Sequence, residues 1–208
     1  MARARQRENQ AQTYESLVRS ARECIARNGY AATTVDQIAE HAGFSKGAFY
    51  YSFDSKEAIM LEILERIHDE DVRELQMIFV EQEDASSLDR AFDRWAEARY
   101  RNTEWAKLNV ELQLHSSRNA GFAEKYAAHF EKYKTQLSAL IALNFTRHGK
   151  AMPAPAIEFS AALIALVDGL ALQHSLSLSP GSPDITAKMM LLVCQGWFAL
   201  GAPLDRDN

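Results

Sequence analysis

Cysteine is nearly missing from this chain: Cys24 and Cys194 are the only two in 208 residues, far apart, with no histidine or cysteine at zinc-ligand spacing beside either. That excludes a disulfide framework and a zinc site, and both residues read as small core residues in a reducing cytoplasm. Long apolar runs are scarce as well. The region around AALIALVDGLAL is interrupted by Glu158 and Asp168, and MMLLVCQGWFALG falls short of the roughly 20 residues that span a bilayer, so no membrane span is expected. The basic start MARARQRENQ leads into a polar, helix-like run rather than an apolar stretch with a cleavage site, which argues against a signal peptide and for a cytoplasmic protein. A Glu-x-x-His pair, a Cys/His cluster and a phosphate loop are all lacking, so nothing calls for a catalytic set, a metal or a cofactor.

What is present is helical periodicity. Apolar residues recur at 3.6-residue spacing almost throughout, and no alternating run bounded by turn residues competes with it, so the fold is expected to be all-α. The spacing predicts helices over about 11 to 28, two short ones between 34 and 53, then about 55 to 82, 87 to 101, 103 to 117, 120 to 148, 155 to 178 and 184 to 200. Asn28-Gly29 stops the first of them, with Leu17, Val18, Ala21, Cys24 and Ile25 inward. HGKAMPAP and SPGSPD mark the later breaks.

The net charge of −5 conceals a division, because residues 1–56 hold eight Lys and Arg against six Asp and Glu while the remainder is acidic. A nucleic-acid face at one end and a solvated acidic body at the other is the reading this suggests. TTVDQIAEHAGFSKGAFYYSF then reads as two short helices around a tight turn. Thr34 and Gln37 form a capping-box pattern, Val35, Ile38, Ala39 and Ala42 make one apolar stripe, Gly43 stops the helix, and Ser45 caps the next. This is a helix-turn-helix layout. On the second helix Phe49 and Phe53 share the inward side, while Lys46, Gly47, Tyr50 and Tyr51 share the opposite arc. Such an arc suits a duplex: hydroxyls donate to phosphates, rings pack on sugars or thymine methyls, and glycine admits close approach.

Lys56 stands in the first turn of the next helix, after Asp54 and Ser55 as alternative N-caps. The helix dipole disfavours a cation there unless a phosphate binds beside it. Asp36 lies on the exposed face of the first motif helix, where it either accepts from a cytosine amino group or assists the helix terminus. Arg3, Arg5 and Arg7 form a basic arm, either reaching DNA or disordered.

Thr34, Ile38, Ala39, Ala42, Gly43, Ser45, Gly47, Tyr50, Phe53, Lys56 and Glu57 together resemble the N-terminal pattern of the TetR family of bacterial transcriptional regulators, over about Leu17 to Leu64. The resemblance implies a DNA-contacting set of Thr34, Ser45, Lys46, Gly47, Tyr50, Tyr51 and Lys56. Tyr50 and Lys56 would meet phosphates, Lys46, Gly47 and Tyr51 would lie on the groove-facing helix, and Thr34 would begin the helix that crosses the backbone. It also implies about nine helices: a three-helix helix-turn-helix domain followed by a ligand-binding and dimerisation bundle.

The expected domains are a flexible basic arm over 1–10, the DNA-binding domain over 11–71 with its motif at about 34–53, and an effector-binding and dimerisation domain over 72–208. The last two helices are apolar over most of their circumference, so Leu163, Leu166, Leu170, Met189, Leu192, Val193 and Trp197 are candidates for a homodimer interface. Trp95, Trp105, Phe122, Tyr126 and Phe130, with Asn109 and Asp168 as polar groups, either line an effector pocket or belong to the core. His115 and His129 each look isolated. The expected partners are a double-stranded, palindromic DNA operator, a second copy of the chain and a small apolar or amphipathic effector that releases a repressor. The alternative is a DNA-binding regulator or activator with no effector.

Overall fold

A computed structural model describes residues 2–81, 103–176 and 183–203. Among them lie eight helices: α1 (Ala2–Ala32), α2 (Val35–His41), α3 (Lys46–Ser52), α4 (Lys56–Glu81), α5 (Thr103–Ser116), α6 (Ala120–Arg147), α7 (Ala156–Leu176) and α8 (Pro183–Leu200). The helix expected over about 87 to 101, and Trp95 with it, lies outside the described residues. No described helix is long and apolar enough to cross a membrane.

The chain divides into two compact units. One comprises Met1–Ile67 and Val110–Tyr126, the other His68–Asn109 and Ala127–Asn208. The first unit therefore ends four residues before the expected boundary at 71, and it takes in a segment that the sequence reading assigned to the other domain. Helices α4, α5 and α6 each contribute residues to both units.

In the first unit, the segment read as a flexible arm is helical from Ala2 onward. No glycine or proline interrupts the chain before Gly29, so nothing stops the helix short of that residue. Gln10 also has a distant partner, its Nε2 donating to the Tyr51 hydroxyl at 2.9 Å. At Gly29 the backbone turns to φ 78°, ψ 164°, a conformation essentially reserved for glycine, and the helix is broken before its last residues. The inward residues named from periodicity on α1, Leu17, Val18, Ala21, Cys24 and Ile25, are all buried, as are Ile59, Ile63, Leu64 and Ile67 of α4.

The second unit is built on one apolar cluster. Val72 and Leu75 of α4, Tyr133, Leu137, Leu140, Ile141 and Phe145 of α6, and Phe159, Leu163 and Ile164 of α7 form it, with Cys194, Trp197 and Phe198 of α8 packed against it. The Trp197 ring stacks on Phe159 at 4.0 Å. Two helix ends receive cations: Arg147 donates to the Phe79 carbonyl at 2.6 Å, and Lys150 donates to the Phe198 carbonyl at 2.7 Å. Each meets the negative end of a helix dipole.

At Gly29 an added Cβ would lie 3.1 Å from the Glu111 carboxylate, in a backbone region that side chains avoid. We expect Gly29→Ala to lower the unfolding free energy by about 1 to 3 kcal/mol in a urea titration. An unchanged midpoint would show that this break is not strained.

Candidate nucleic-acid interface and inner cavity

The helix-turn-helix is assembled from local hydrogen bonds that the sequence specifies. The Thr34 hydroxyl accepts from the Gln37 amide at 3.2 Å while the Gln37 side chain accepts from the Thr34 amide at 2.9 Å, so the capping box closes in both directions. Ile38 and Ala39 are buried beneath α2, and the Ser20 hydroxyl ties α1 to it by donating to the Ile38 carbonyl at 2.7 Å. Gly43 sits at φ 78° in the turn. Ser45 caps α3 by accepting from the Ala48 amide at 3.2 Å.

Helix α3 divides into faces as its sequence predicts. Phe49 is fully buried and Phe53 nearly so, the latter stacked on Tyr14 of α1 at 4.6 Å. Lys46, Gly47, Tyr50 and Tyr51 are exposed, the two tyrosines at 50% and 75%. Two of the four also have partners within the chain. Lys46 pairs with Asp36 at 2.9 Å, which gives Asp36 a role the sequence reading did not include, and Tyr51 accepts from Gln10.

Lys56 has an internal role that sequence reasoning missed. Ser55, rather than Asp54, accepts from an amide of the first turn of α4, at 3.1 Å from Ala58. The Lys56 ammonium donates to the carbonyls of Tyr30 and Thr33, both at 2.9 Å, and lies 4.1 Å from the centre of the Tyr30 ring. Burial pulls its pKa below the ordinary lysine value. The broken end of α1 is thus held from the start of α4.

From α5, Glu111 accepts from the Tyr30 amide at 2.6 Å, and His115 lies 3.3 Å from the Glu57 carboxylate. His115 also packs its ring on Tyr30 and on Phe122, so it is not isolated. Glu111 too escaped the sequence reading. The glycine break at residue 29 implied a freed amide, but nothing in the sequence named the carboxylate that would meet it.

The residues proposed for an effector pocket divide between the two units. Phe122 and Tyr126 are buried in the first unit, their rings 5.9 Å apart, whereas Asn109, Phe130 and Asp168 belong to the second. The segment 120–126 opens α6 but belongs to the first unit. The side chain of Trp105 lies outside the described set.

The second unit does contain a cavity of ≈ 30 Å³, lined by His68, Tyr133, Leu137, Leu163, Ile164, Val167 and Asp168. Asn109 donates to Asp168 at 2.5 Å. His68, which periodicity did not single out, stacks on Tyr133 at 3.8 Å, and its Nδ1 lies 2.9 Å from Nε2 of His129. His129 therefore has a histidine partner. Among the described residues no three metal-ligating side chains converge.

The dimer candidates also separate. Leu163 is inside the core of its own unit, which removes it from any surface; Leu170 and Trp197 pack on that core and Leu166 is half-buried. Met189, Leu192 and Val193 of α8 remain exposed, Leu192 at 55%.

Residues 17–63 match the family described as bacterial regulatory proteins, tetR family. Over 51 residues the chain is 45% identical to the HTH-type transcriptional regulator YerO of Bacillus subtilis, covering 24% of this chain and 18% of that protein. Over 55 residues it is 44% identical to the TetC protein of transposon Tn10 from Escherichia coli, covering 26% and 28%. The matched stretch is thus less than a third of either relative. The solved structure of the fatty acid degradation regulator FadR from Bacillus halodurans superimposes with a TM-score of 0.72 at 17% identity, over 88% of this chain and 95% of that one. At that identity the likeness is one of fold.

The two lysines of the motif differ in what they support. Lys56→Ala leaves two buried carbonyls without their donor and is expected to cost about 1 to 3 kcal/mol in thermal or chemical unfolding. Lys46→Ala breaks an exposed pair and is expected to leave the unfolding midpoint nearly unchanged. Equal losses would mean that the Lys56 contacts do not hold the end of α1.

Proposed function

We propose that the chain, whose residues 17–63 match the tetR family of bacterial regulatory proteins, is a homodimeric transcriptional repressor of that family released by a small-molecule effector. The observation that carries the DNA-binding part is the exposed arc of α3: Lys46, Gly47, Tyr50 and Tyr51 stand outward on a helix whose other side is anchored by Phe49. In this reading α3 enters the major groove, the Tyr50 hydroxyl donates to a phosphate, and Lys46 and Tyr51 face base edges. Thr34 and Ser45 set the two helix starts. An ammonium carries three protons; Lys56 directs two at the end of α1, and the third serves a phosphate beside the first turn of α4.

A palindromic operator calls for two such helices about one duplex turn apart, roughly 34 to 36 Å, and so for a two-fold dimer. The exposed apolar side chains of α8, Met189, Leu192 and Val193, support that pairing. Effector release follows from linkage: a ligand that prefers a geometry unable to bind DNA lowers operator affinity, and DNA lowers ligand affinity by the same factor, typically about 5 to 150-fold. The second unit, with its cavity, is the proposed seat of that ligand.

Gel-shift titrations on operator and random duplexes test the interface. Tyr50→Phe is expected to weaken both about equally, since phosphate contacts carry no sequence information, whereas Lys46→Ala and Tyr51→Ala are expected to change preference among sequences. A loss for Tyr50→Phe confined to operator DNA would overturn its assignment.

Leu192→Glu is expected to give a folded monomer in sedimentation that no longer shifts operator, with the motif untouched. A wild-type monomer at micromolar concentration would refute the dimer.

A further inference from the structure

Resting on the reading of α3 as the groove-facing helix, we propose that Gln10 of α1 is a positioning residue for sequence recognition: by donating to the Tyr51 hydroxyl it holds that ring and leaves the hydroxyl proton for an acceptor on a base edge. The Gln10 Nε2 lies 2.9 Å from the Tyr51 oxygen, across 41 positions of sequence. Tyr51 is 75% exposed, so packing does little to fix its ring. Gln10 stands on firmer support. One helical turn further along α1, Tyr14 stacks on Phe53 at 4.6 Å, and Arg66 of α4 holds the Glu15 carboxylate with two nitrogens at 2.6 and 2.8 Å. No glycine or proline separates these anchors from Gln10, so the backbone that carries its amide is continuous helix.

The direction of that bond decides what the tyrosine can read. A phenol has one proton to give, and an oxygen that accepts from Gln10 keeps its proton turned away from the amide. Tyr51 then presents a donor to the duplex. In the major groove the acceptors are guanine N7 and O6, adenine N7 and thymine O4, whereas cytosine offers only an amino donor. With Gln10 in place, a Tyr51 hydroxyl that meets a base edge favours guanine or thymine and disfavours cytosine. Without Gln10 the hydroxyl turns between donating and accepting, and the same side chain distinguishes less. A ring already held also loses less freedom on docking than a free one.

The test selects duplexes from a randomised library with the full chain, then titrates the selected duplex and its single-base-pair variants. Wild type is expected to favour an acceptor-bearing base over cytosine by about fivefold or more at one position of each half-site, and Tyr51→Phe to lose that preference. Gln10→Ala, at an exposed position where alanine suits a helix, is expected to cut the preference to about twofold or less at the same position and nowhere else. Added to Tyr51→Phe, it is expected to change nothing further. Gln10→Glu replaces the donor with an acceptor, so the Tyr51 proton turns inward and the preference at that position is expected to move to cytosine. Its charge weakens all duplexes alike and cancels from the ratio. An unaltered preference in Gln10→Ala, with Tyr51→Phe still losing it, would overturn this proposal and leave the wider reading standing. A Gln10→Ala change at another position, or one additive with Tyr51→Phe, would also overturn it, since Gln10 would then act on its own account. A wild type without sequence preference, or a preference that survives Tyr51→Phe intact, would overturn the groove-facing role of Tyr51 as well.

Discussion

A helix that ends inside a folded unit leaves amides and carbonyls that water no longer serves, and the end of α1 is where three later segments of the chain become fixed. Gly29 breaks the helix by taking a conformation that other residues avoid. The freed groups are then met one by one. Glu111 of α5 takes the Tyr30 amide, Lys56 of α4 takes the Tyr30 and Thr33 carbonyls, and the buried Thr33 hydroxyl donates to the Gly29 carbonyl at 2.8 Å. Thr34 follows at once as the cap of α2. The break at Gly29 therefore stands just before the motif, and its freed groups tie α1 to Lys56 of α4 and Glu111 of α5.

The same logic explains where much of the positive charge goes. Lys56 at α1, Arg147 at α4 and Lys150 at α8 each donate to carbonyls at or near a helix C-terminus, the negative end of the dipole. A count of basic residues treats all of them as available for a phosphate. Lys56 was part of the excess that pointed to DNA, yet most of its hydrogen-bonding capacity faces inward. The Lys46 ammonium is exposed but paired with Asp36, and the pairing raises its pKa above the ordinary lysine value. A phosphate approaching Lys46 would compete with a carboxylate already in place, so on the proposed reading the arc relies more on its tyrosines and glycine than on its charge.

The parts legible in the sequence were those governed by neighbours a few residues apart. Caps, the Gly43 turn, the Phe49 and Phe53 face and the stop at Gly29 all follow from contacts within one or two helical turns, and each stands as read. The parts that were not legible depend on residues distant in the chain. Tyr30 and Glu111 are one such pair, Lys56 and Thr33 another, and His68 and His129 a third, for which no period or motif gives a sign. The residues proposed for a pocket divide between the two units for the same reason. Phe122, Tyr126 and Phe130 share α6 at helical spacing, but the division between units falls at residue 126, and periodicity carries no information about which unit a stretch of helix joins.

Helix α3 shows how the two kinds of information combine. At seven residues it is well under the length at which an isolated helix persists in water, roughly 12 to 15 residues. Its shape must therefore come from its surroundings. Ser45 satisfies an amide at its start, while Phe49 and Phe53 bury its inner side, the latter against Tyr14 of α1. Tyr50 meets Phe49 edge-on, at 5.5 Å between ring centres. The outward arc is thus oriented by residues that are not on it. Substitutions among Lys46, Gly47, Tyr50 and Tyr51 can change what the face recognises with little effect on whether the helix forms, and α1, through Tyr14 and the break at Gly29, positions a surface to which it contributes almost nothing except Gln10.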